Sequence, residues 1–179
     1  MKKVLILTRS ANRNGTSLLL ADKFEEGVMN AGNIVKRYNT EFLNIKGCIG
    51  CNYCKHNNGT CIQNDDFIII KENLIKSDIV VFVTPLYYFD MSAQLKLVID
   101  RLHTISSELS KKKRGTFLIS TQASPLENTA DVLKLHYKTI TDYLKWSDLG
   151  MLIAKGVPSR KIIEKTDYPE MARKLGENI

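Results

Sequence analysis

The 179-residue chain has no cysteine outside positions 48–61, where all four stand as Cys48, Cys51, Cys54 and Cys61. Long hydrophobic runs are missing too, since none approaches the roughly 20 apolar residues that cross a bilayer. The run after the first two lysines, Val4 to Leu7, turns polar at Arg9 and is too short for the apolar core of a signal peptide. These absences predict a cytoplasmic protein with no membrane partner, whose thiols stay reduced and form no disulfide staple. Histidine is scarce, and His56, His103 and His136 stand far apart, which excludes a zinc finger ending in paired histidines and predicts surface or edge positions for each. Negative charge falls short of positive, leaving a net +7. The lysines are dispersed, however, and the one dense run, Lys111 to Arg114, precedes an apolar stretch and reads as a solvated connection, so no nucleic-acid partner is predicted. With no repeat, low-complexity stretch or linker, and 44% hydrophobic residues, the chain is expected to fold as one domain over 1–179.

What is present is concentrated. Cys48-Ile-Gly-Cys51-Asn-Tyr-Cys54 puts two residues between successive thiols, so a loop at about 44–64 can wrap three sulfurs around one point, with Cys61 to close the shell. That spacing suits an iron–sulfur cluster of the [4Fe–4S] type. A structural zinc suits it less, because zinc sites usually draw paired ligands from two separated knuckles, and a redox thiol pair is a third reading. The spacing alone leaves all three open.

The order of segments predicts the architecture. Val4 to Leu7 and Ile79 to Val83 are short continuous apolar runs, the mark of strands buried on both faces of a parallel sheet, and Phe117 to Ser120 and Leu149 to Ala154 read alike. A less hydrophobic strand at Ile34 to Asn39 suits an edge. Helical patterns lie between: Leu20, Phe24 and Val28; Phe67, Ile70 and Leu74 after Asp65 or Asp66 as cap; Met91, Leu95, Val98, Ile99 and Leu102; and Val132, Leu133, His136, Ile140, Tyr143 and Leu144. A last helix is expected from about Tyr168 to Gly176. The prediction is an α/β fold, a doubly wound five-stranded parallel sheet with right-handed crossovers and helices on both faces.

Such sheets bind ligands at the carboxyl ends of their strands, which directs attention to the loops after strands one, three and four. The first, Thr8 to Ser17, leaves a buried strand and enters a helix with Ser10, Asn12, Gly15, Thr16 and Ser17 as candidate ligands. It is neither the lysine-bearing loop of NTPases nor a GxGxxG. Hydroxyls at the positive end of a helix suit a terminal phosphomonoester such as that of FMN, although Thr16 and Ser17 also read as plain helix caps. The second, Thr84 to Met91, carries Tyr87, Tyr88 and Phe89 in succession. Three adjacent aromatics at a strand end are hard to bury together and are expected to line a pocket, with an ordinary core cluster as the alternative.

With these motifs the chain resembles the NAD(P)H-dependent FMN reductases of flavodoxin-like fold, and within them the iron–sulfur flavoproteins. Arg9-Ser10-Ala-Asn12-Arg13-Asn14-Gly15-Thr16-Ser17 is similar to the family's first loop, with Arg9 for its leading glycine and Ala11 for its proline. Pro85 to Arg101, with Met91-Ser-Ala-Gln94-Leu-Lys96 and Ile99-Asp-Arg101 intact, is similar to the second. Cys48-Ile-Gly50-Cys51, Cys54, Gly59-Thr-Cys61 and Asp65-Asp66 resemble the cysteine loop, and the tail from Gly156 to Ile179 resembles the family's ending. The loop Thr121 to Pro125 lacks the glycines common there.

The resemblance implies strand order 2-1-3-4-5, FMN as cofactor and NAD(P)H as co-substrate, with hydride passed to the flavin and electrons on to a quinone, free flavin or redox protein. Ser10, Asn12, Gly15, Thr16 and Ser17 would hold the phosphate. Pro85, Leu86, Tyr87 and Tyr88, helped by Thr121 and Gln122, would hold the ring, and no protein residue would be catalytic. It also implies a homo-oligomer and a cluster on Cys48, Cys51, Cys54 and Cys61, although the cysteine pattern occurs in relatives without a known cluster. The alternatives are a flavodoxin-type electron carrier without NAD(P)H turnover, against which the basic charge speaks, and a zinc-stapled binding module.

Overall fold

The computed structural model describes every residue from Met1 to Ile179 apart from Ala11 and Arg13, so those two positions of the first loop lie outside the described residues. The strands are β1 (Lys3–Thr8), β2 (Ile34–Asn39), β3 (Ile79–Pro85), β4 (Gly115–Thr121) and β5 (Ser147–Ala154). They form one parallel sheet in the order β2-β1-β3-β4-β5, the expected flavodoxin-like order. The helices are α1 (Thr16–Asn30), α2 (Tyr53–His56), α3 (Phe67–Lys76), α4 (Ala93–Arg101), α5 (Ser106–Leu109), α6 (Asp131–Tyr143), α7 (Arg160–Ile163) and α8 (Tyr168–Glu177).

Alternation along the strands splits the core in two. Leu5, Leu7, Val80, Phe82 and Leu118 meet α3, α4 and α6 through Ile70, Leu74, Leu95, Val98 and Leu133. Val4, Ile6, Val81, Val83 and Ile119 face the other way onto α1 and α8 through Leu20, Phe24, Val28 and Ala172. The central strands are therefore apolar at consecutive positions, as residues buried on both faces must be. The edge strand β2 is exposed or half-buried throughout.

Two glycines set the closeness of α1 and α8. A Cβ on Gly27 would run into the carbonyl of Arg173, and one on Gly176 into the carbonyl of Phe24. The helix backbones thus touch where neither carries a side chain, which maximises dispersion contact.

Some expectations shift in detail. Asp65 does open α3, its Oδ1 accepting from the Phe67 amide at 3.1 Å, while Asp66 makes no side-chain capping bond. Met91 precedes α4 and is buried in the loop before it. On α6 the buried stripe is Leu133, Tyr137 and Thr141, whereas Val132 and Tyr143 face solvent. Apolar residues flank that stripe on both sides, which blurs its position in the sequence.

The run Lys111 to Arg114 is only partly the solvated connection expected. Lys111, Lys112 and Lys113 are exposed, but Arg114 is 2% exposed. Its guanidinium donates to the carbonyls of Leu109 (2.7 Å), Lys112 (3.2 Å) and Ile75 (3.0 Å), joining the ends of α3 and α5. Burial lowers its pKa from the ordinary arginine value, with the charge of Asp78 working the other way.

Candidate functional site

A cleft of about 560 Å³ opens at the carboxyl ends of the strands. From the loop after β1 it is lined by Ser10, Asn12, Asn14, Gly15, Thr16 and Ser17. Pro85, Leu86 and Tyr87 line it from the loop after β3, and Thr121, Gln122 and Ala123 from the end of β4. The strands β1, β3 and β4 are successive neighbours in the sheet, so these three loops stand side by side.

The first loop folds on itself. The Ser10 hydroxyl donates to the Asn12 carbonyl at 2.7 Å, the Gly15 amide donates to the same carbonyl at 2.9 Å, and Asn12 Oδ1 accepts from the Asn14 amide at 2.9 Å. Asn39 clamps Ser10 from the end of β2, accepting from its amide at 3.3 Å and donating to its carbonyl at 3.0 Å. Gly15 caps α1 without a side-chain bond, and no acidic residue occupies the first turn. The leading amides of a helix have no intrahelical acceptor, so this end favours an anion. A Cβ on Gly15 would lie 2.6 Å from Ser10 Oγ and 3.0 Å from the Asn12 carbonyl, so any larger residue there would displace the Ser10 hydroxyl and crowd the turn. Thr16 Oγ1 donates to Thr121 Oγ1 at 2.9 Å and joins the first loop to β4.

The opposite wall is apolar and aromatic. Thr84 Oγ1 accepts from the Ser92 amide at 3.1 Å, and the Leu86 amide donates to the Thr121 carbonyl at 2.9 Å, which pins both ends of the loop. Between them Tyr87 and Asp90 exchange backbone bonds around a two-residue turn, with Tyr88 and Phe89 at φ of 45° and 70°. Two bulky residues in left-handed backbone carry local strain. The turn aims Tyr88 into solvent, 99% exposed, and leaves Phe89 exposed as well, so of the three aromatics expected to line a pocket Tyr87 alone lines the cleft, and of the residues expected around the ring Tyr88 is not brought to it.

Arg9 stands behind Tyr87. Its Nη1 donates to the Tyr87 hydroxyl at 3.0 Å, its guanidinium lies 5.0 Å from that ring's centroid, and its Nε meets Gln94 Oε1 at 3.0 Å and pairs with Glu41 at 3.1 Å. The arginine that replaces the family's glycine thus braces the aromatic wall. His136, half-buried as expected for an edge residue, pairs through Nδ1 with Asp90 at 2.8 Å on the far side of the same loop.

Gln122 has its amide nitrogen committed to the carbonyls of Ser124 and Leu126, both at 2.9 Å. Its Oε1 is buried without a donor among the described residues, which fits a ligand bearing N–H groups, as a flavin ring does. The hydroxyl loop at the start of α1 fits a phosphate. FMN therefore suits the residues present.

A further wall, Val157 to Lys161 after β5, was not anticipated as part of the site. The available signal was Gly156-Val-Pro-Ser-Arg-Lys directly after a strand, a turn leading to two cations at the ligand-binding end of the sheet.

The cysteines lie elsewhere, between β2 and α3. Their segment turns through left-handed residues at Gly50, Asn52, Asn58 and Gly59. It is pinned where Arg101 of α4 meets Asp65 at 2.7 Å, both side chains 1% exposed, and where Lys71 donates to the Gly59 carbonyl at 2.7 Å. Burial pushes the Asp65 carboxyl upward, but the Arg101 guanidinium and the amides of Lys46 and Phe67 outweigh it and hold its pKa below the ordinary value. Cys48 and Cys51 are exposed, Cys54 and Cys61 half-buried, and all four are free thiols. Among the described residues no three histidine, cysteine, aspartate or glutamate side chains are placed to hold one metal ion, so in this arrangement the thiols do not form a cluster shell. No described helix is long and apolar enough to cross a membrane.

Comparison with known proteins bears on the fold and the family. An iron–sulfur flavoprotein of Archaeoglobus fulgidus is 33% identical over 102 residues, covering 57% of this chain and 46% of the relative. The chain spans about half the length of the curated relatives it matches. The solved NAD(P)H:quinone oxidoreductase from Methanothermobacter marburgensis superposes with a TM-score of 0.76 at 19% identity, over 99% of this chain and 95% of that one. An FMN-dependent NADH-azoreductase from Bacillus anthracis, solved with FMN, gives 0.70 at 14% identity over 98% of each. At these identities the two structures speak for the fold alone. Residues 2–153 match the model of the NADPH-dependent FMN reductases, and this chain belongs to that family.

Proposed function

We propose that the cleft binds FMN and that the protein is an oxidoreductase taking hydride from NAD(P)H and passing electrons to an acceptor such as a quinone, free flavin or redox protein. The observation that carries this reading is the meeting of a hydroxyl-lined helix start with an apolar, aromatic wall in one cleft, in a chain of this family. Bound FMN supplies the hydride- and electron-transfer chemistry. The chain's residues bind and orient. Ser17 and the first amides of α1 hold the phosphate, the Ser10 and Thr16 hydroxyls turn to it from Asn12 and Thr121, and Asn12 and Gly15 shape that turn. Pro85, Leu86 and Tyr87 shield one side of the ring, Thr121 and Gln122 meet its polar edge, and Arg9 fixes Tyr87. Ala123 is small, which leaves room for a nicotinamide.

The homo-oligomer implied by the resemblance is supported by apolar side chains left exposed on loops bordering the cleft, Tyr88, Phe89 and Leu126. Sedimentation at several concentrations tests it.

The phosphate assignment is tested by titrating flavin-free protein with FMN and riboflavin. FMN is expected to bind far more tightly. Thr16→Ala with Ser17→Ala removes two donors to a charged group, about 1.5–3 kcal/mol each, and is expected to weaken FMN by at least about a hundredfold with riboflavin little changed. Equal affinities for the two flavins in the unsubstituted protein refute the assignment.

A further inference from the structure

The wall after β5 carries charge that the FMN reading does not use. The chain turns at Gly156, where φ is 66°, and its amide donates to the Ser124 carbonyl while that of Val157 donates to the Gln122 carbonyl, both at 3.0 Å. These bonds stitch the segment to the loop after β4. Ile163 is fully buried and α7 packs against α1, which holds this short helix beside the cleft. Its first two residues, Arg160 and Lys161, line the same cleft as Ser10 and Ser17.

Arg160 meets Glu164 through Nε at 2.7 Å, and Lys161 has no acidic partner among the described residues. No aspartate or glutamate lines the cleft among the described residues. Arg160 and Lys161 outnumber the one carboxylate beside them, Glu164, so this concave wall keeps a net positive charge, which raises the local concentration of anions and stabilises one that binds. Both residues lie beyond the stretch matched by the family model, residues 2–153.

We propose that Arg160 and Lys161 form an anion subsite of the cleft that takes a phosphate group of a bound nucleotide. The proposal rests on the nucleotide reading above. Two ligands of that site carry the chemistry, FMN through its terminal phosphate and the pyridine dinucleotide through its diphosphate or 2′-phosphate. Arginine offers a planar fork, of which Glu164 takes only Nε, and lysine a point charge, so the pair can meet more than one oxygen of a phosphate group.

Arg160→Gln, Lys161→Gln and the double variant, each checked for an unchanged melting curve, are titrated with FMN and riboflavin as flavin-free protein and with NADP⁺ and NAD⁺ as flavin-loaded protein. The double variant is expected to bind a phosphate-bearing ligand at least about tenfold more weakly, and the difference is expected to shrink as salt is raised. Weakening of FMN without riboflavin assigns the subsite to the flavin phosphate. Weakening of NADP⁺ alone assigns it to the 2′-phosphate, and of both dinucleotides to their diphosphate. If all four ligands bind variant and unsubstituted protein alike, or FMN and riboflavin weaken together, the subsite is overturned. Failure of the FMN reading shows separately, as an unsubstituted protein that takes up no flavin. Calorimetry with inorganic phosphate on flavin-free protein then decides the subsite: binding lost in the double variant supports it, and equal binding overturns it.

Discussion

Asp65→Asn is expected to be among the most destabilising single changes in this protein, and to act first on the cysteine segment. Asp65 accepts from Arg101 at 2.7 and 3.2 Å and from the amides of Lys46 at 3.0 Å and Phe67 at 3.1 Å. The intact pair is not a large net gain, because the attraction of two unit charges about 4 Å apart, about 4 kcal/mol at an effective dielectric of 20, is offset by desolvation of both. Removing one partner differs, for it leaves Arg101 charged and buried. Its Nε already lacks an acceptor, and its guanidinium is stacked 4.8 Å from the Phe67 ring. Breaking such a pair costs about 3–5 kcal/mol, which for a protein of this length lowers the melting temperature by about 6–20 °C. Because Asp65 anchors residues 46–67, the half-buried Cys54 and Cys61 are expected to react with a thiol reagent as fast as Cys48 and Cys51 in the variant, and more slowly otherwise. The pH dependence has a definite sign. The folded pKa of Asp65 lies below its ordinary 3.8, so its contribution is complete above that value and is lost as pH falls through the folded pKa. Calorimetry between pH 2 and 7 should show the gap between the two proteins closing only at the acid end. A melting shift under about 2 °C, or a gap that stays constant into acid, refutes the reasoning.

Gly27→Val is expected to force α8 off α1 and cost about 1–3 kcal/mol or more, read as a lower melting temperature and faster proteolysis near the C-terminus, because its Cβ meets backbone that has no rotamer to move. As arranged, the four cysteines are expected to consume four equivalents of a thiol reagent per unfolded chain; four irons with equal sulfide in anaerobically purified protein would show that the segment closes around a cluster. Under anaerobic conditions NADH or NADPH is expected to bleach protein-bound FMN within seconds, and a quinone to restore the colour. Bleaching by dithionite but by neither nucleotide would identify an electron carrier.

The sequence alone determined the strands β1 and β3, the order of elements, and the two loops that bear most of the cleft. Strands buried on both faces must be apolar at successive positions, and a ligand loop in a doubly wound sheet must follow a strand, so both are written locally. Tertiary structure decided what depends on neighbours distant in sequence. Arg160 and Lys161 reach the cleft because β5 pairs with β4 and Gly156 turns the chain back onto Ser124. Arg114 is buried among lysines that are not, because helix ends from two separate segments present carbonyls to it. Tyr88 leaves the cleft that Tyr87 lines because Tyr88 and Phe89 are the left-handed tip of a turn that reverses the chain between Tyr87 and Asp90. The cysteine spacing limits how far apart the sulfurs can lie, but where they point follows from the left-handed turns between them and from the Asp65–Arg101 anchor, neither of which spacing encodes.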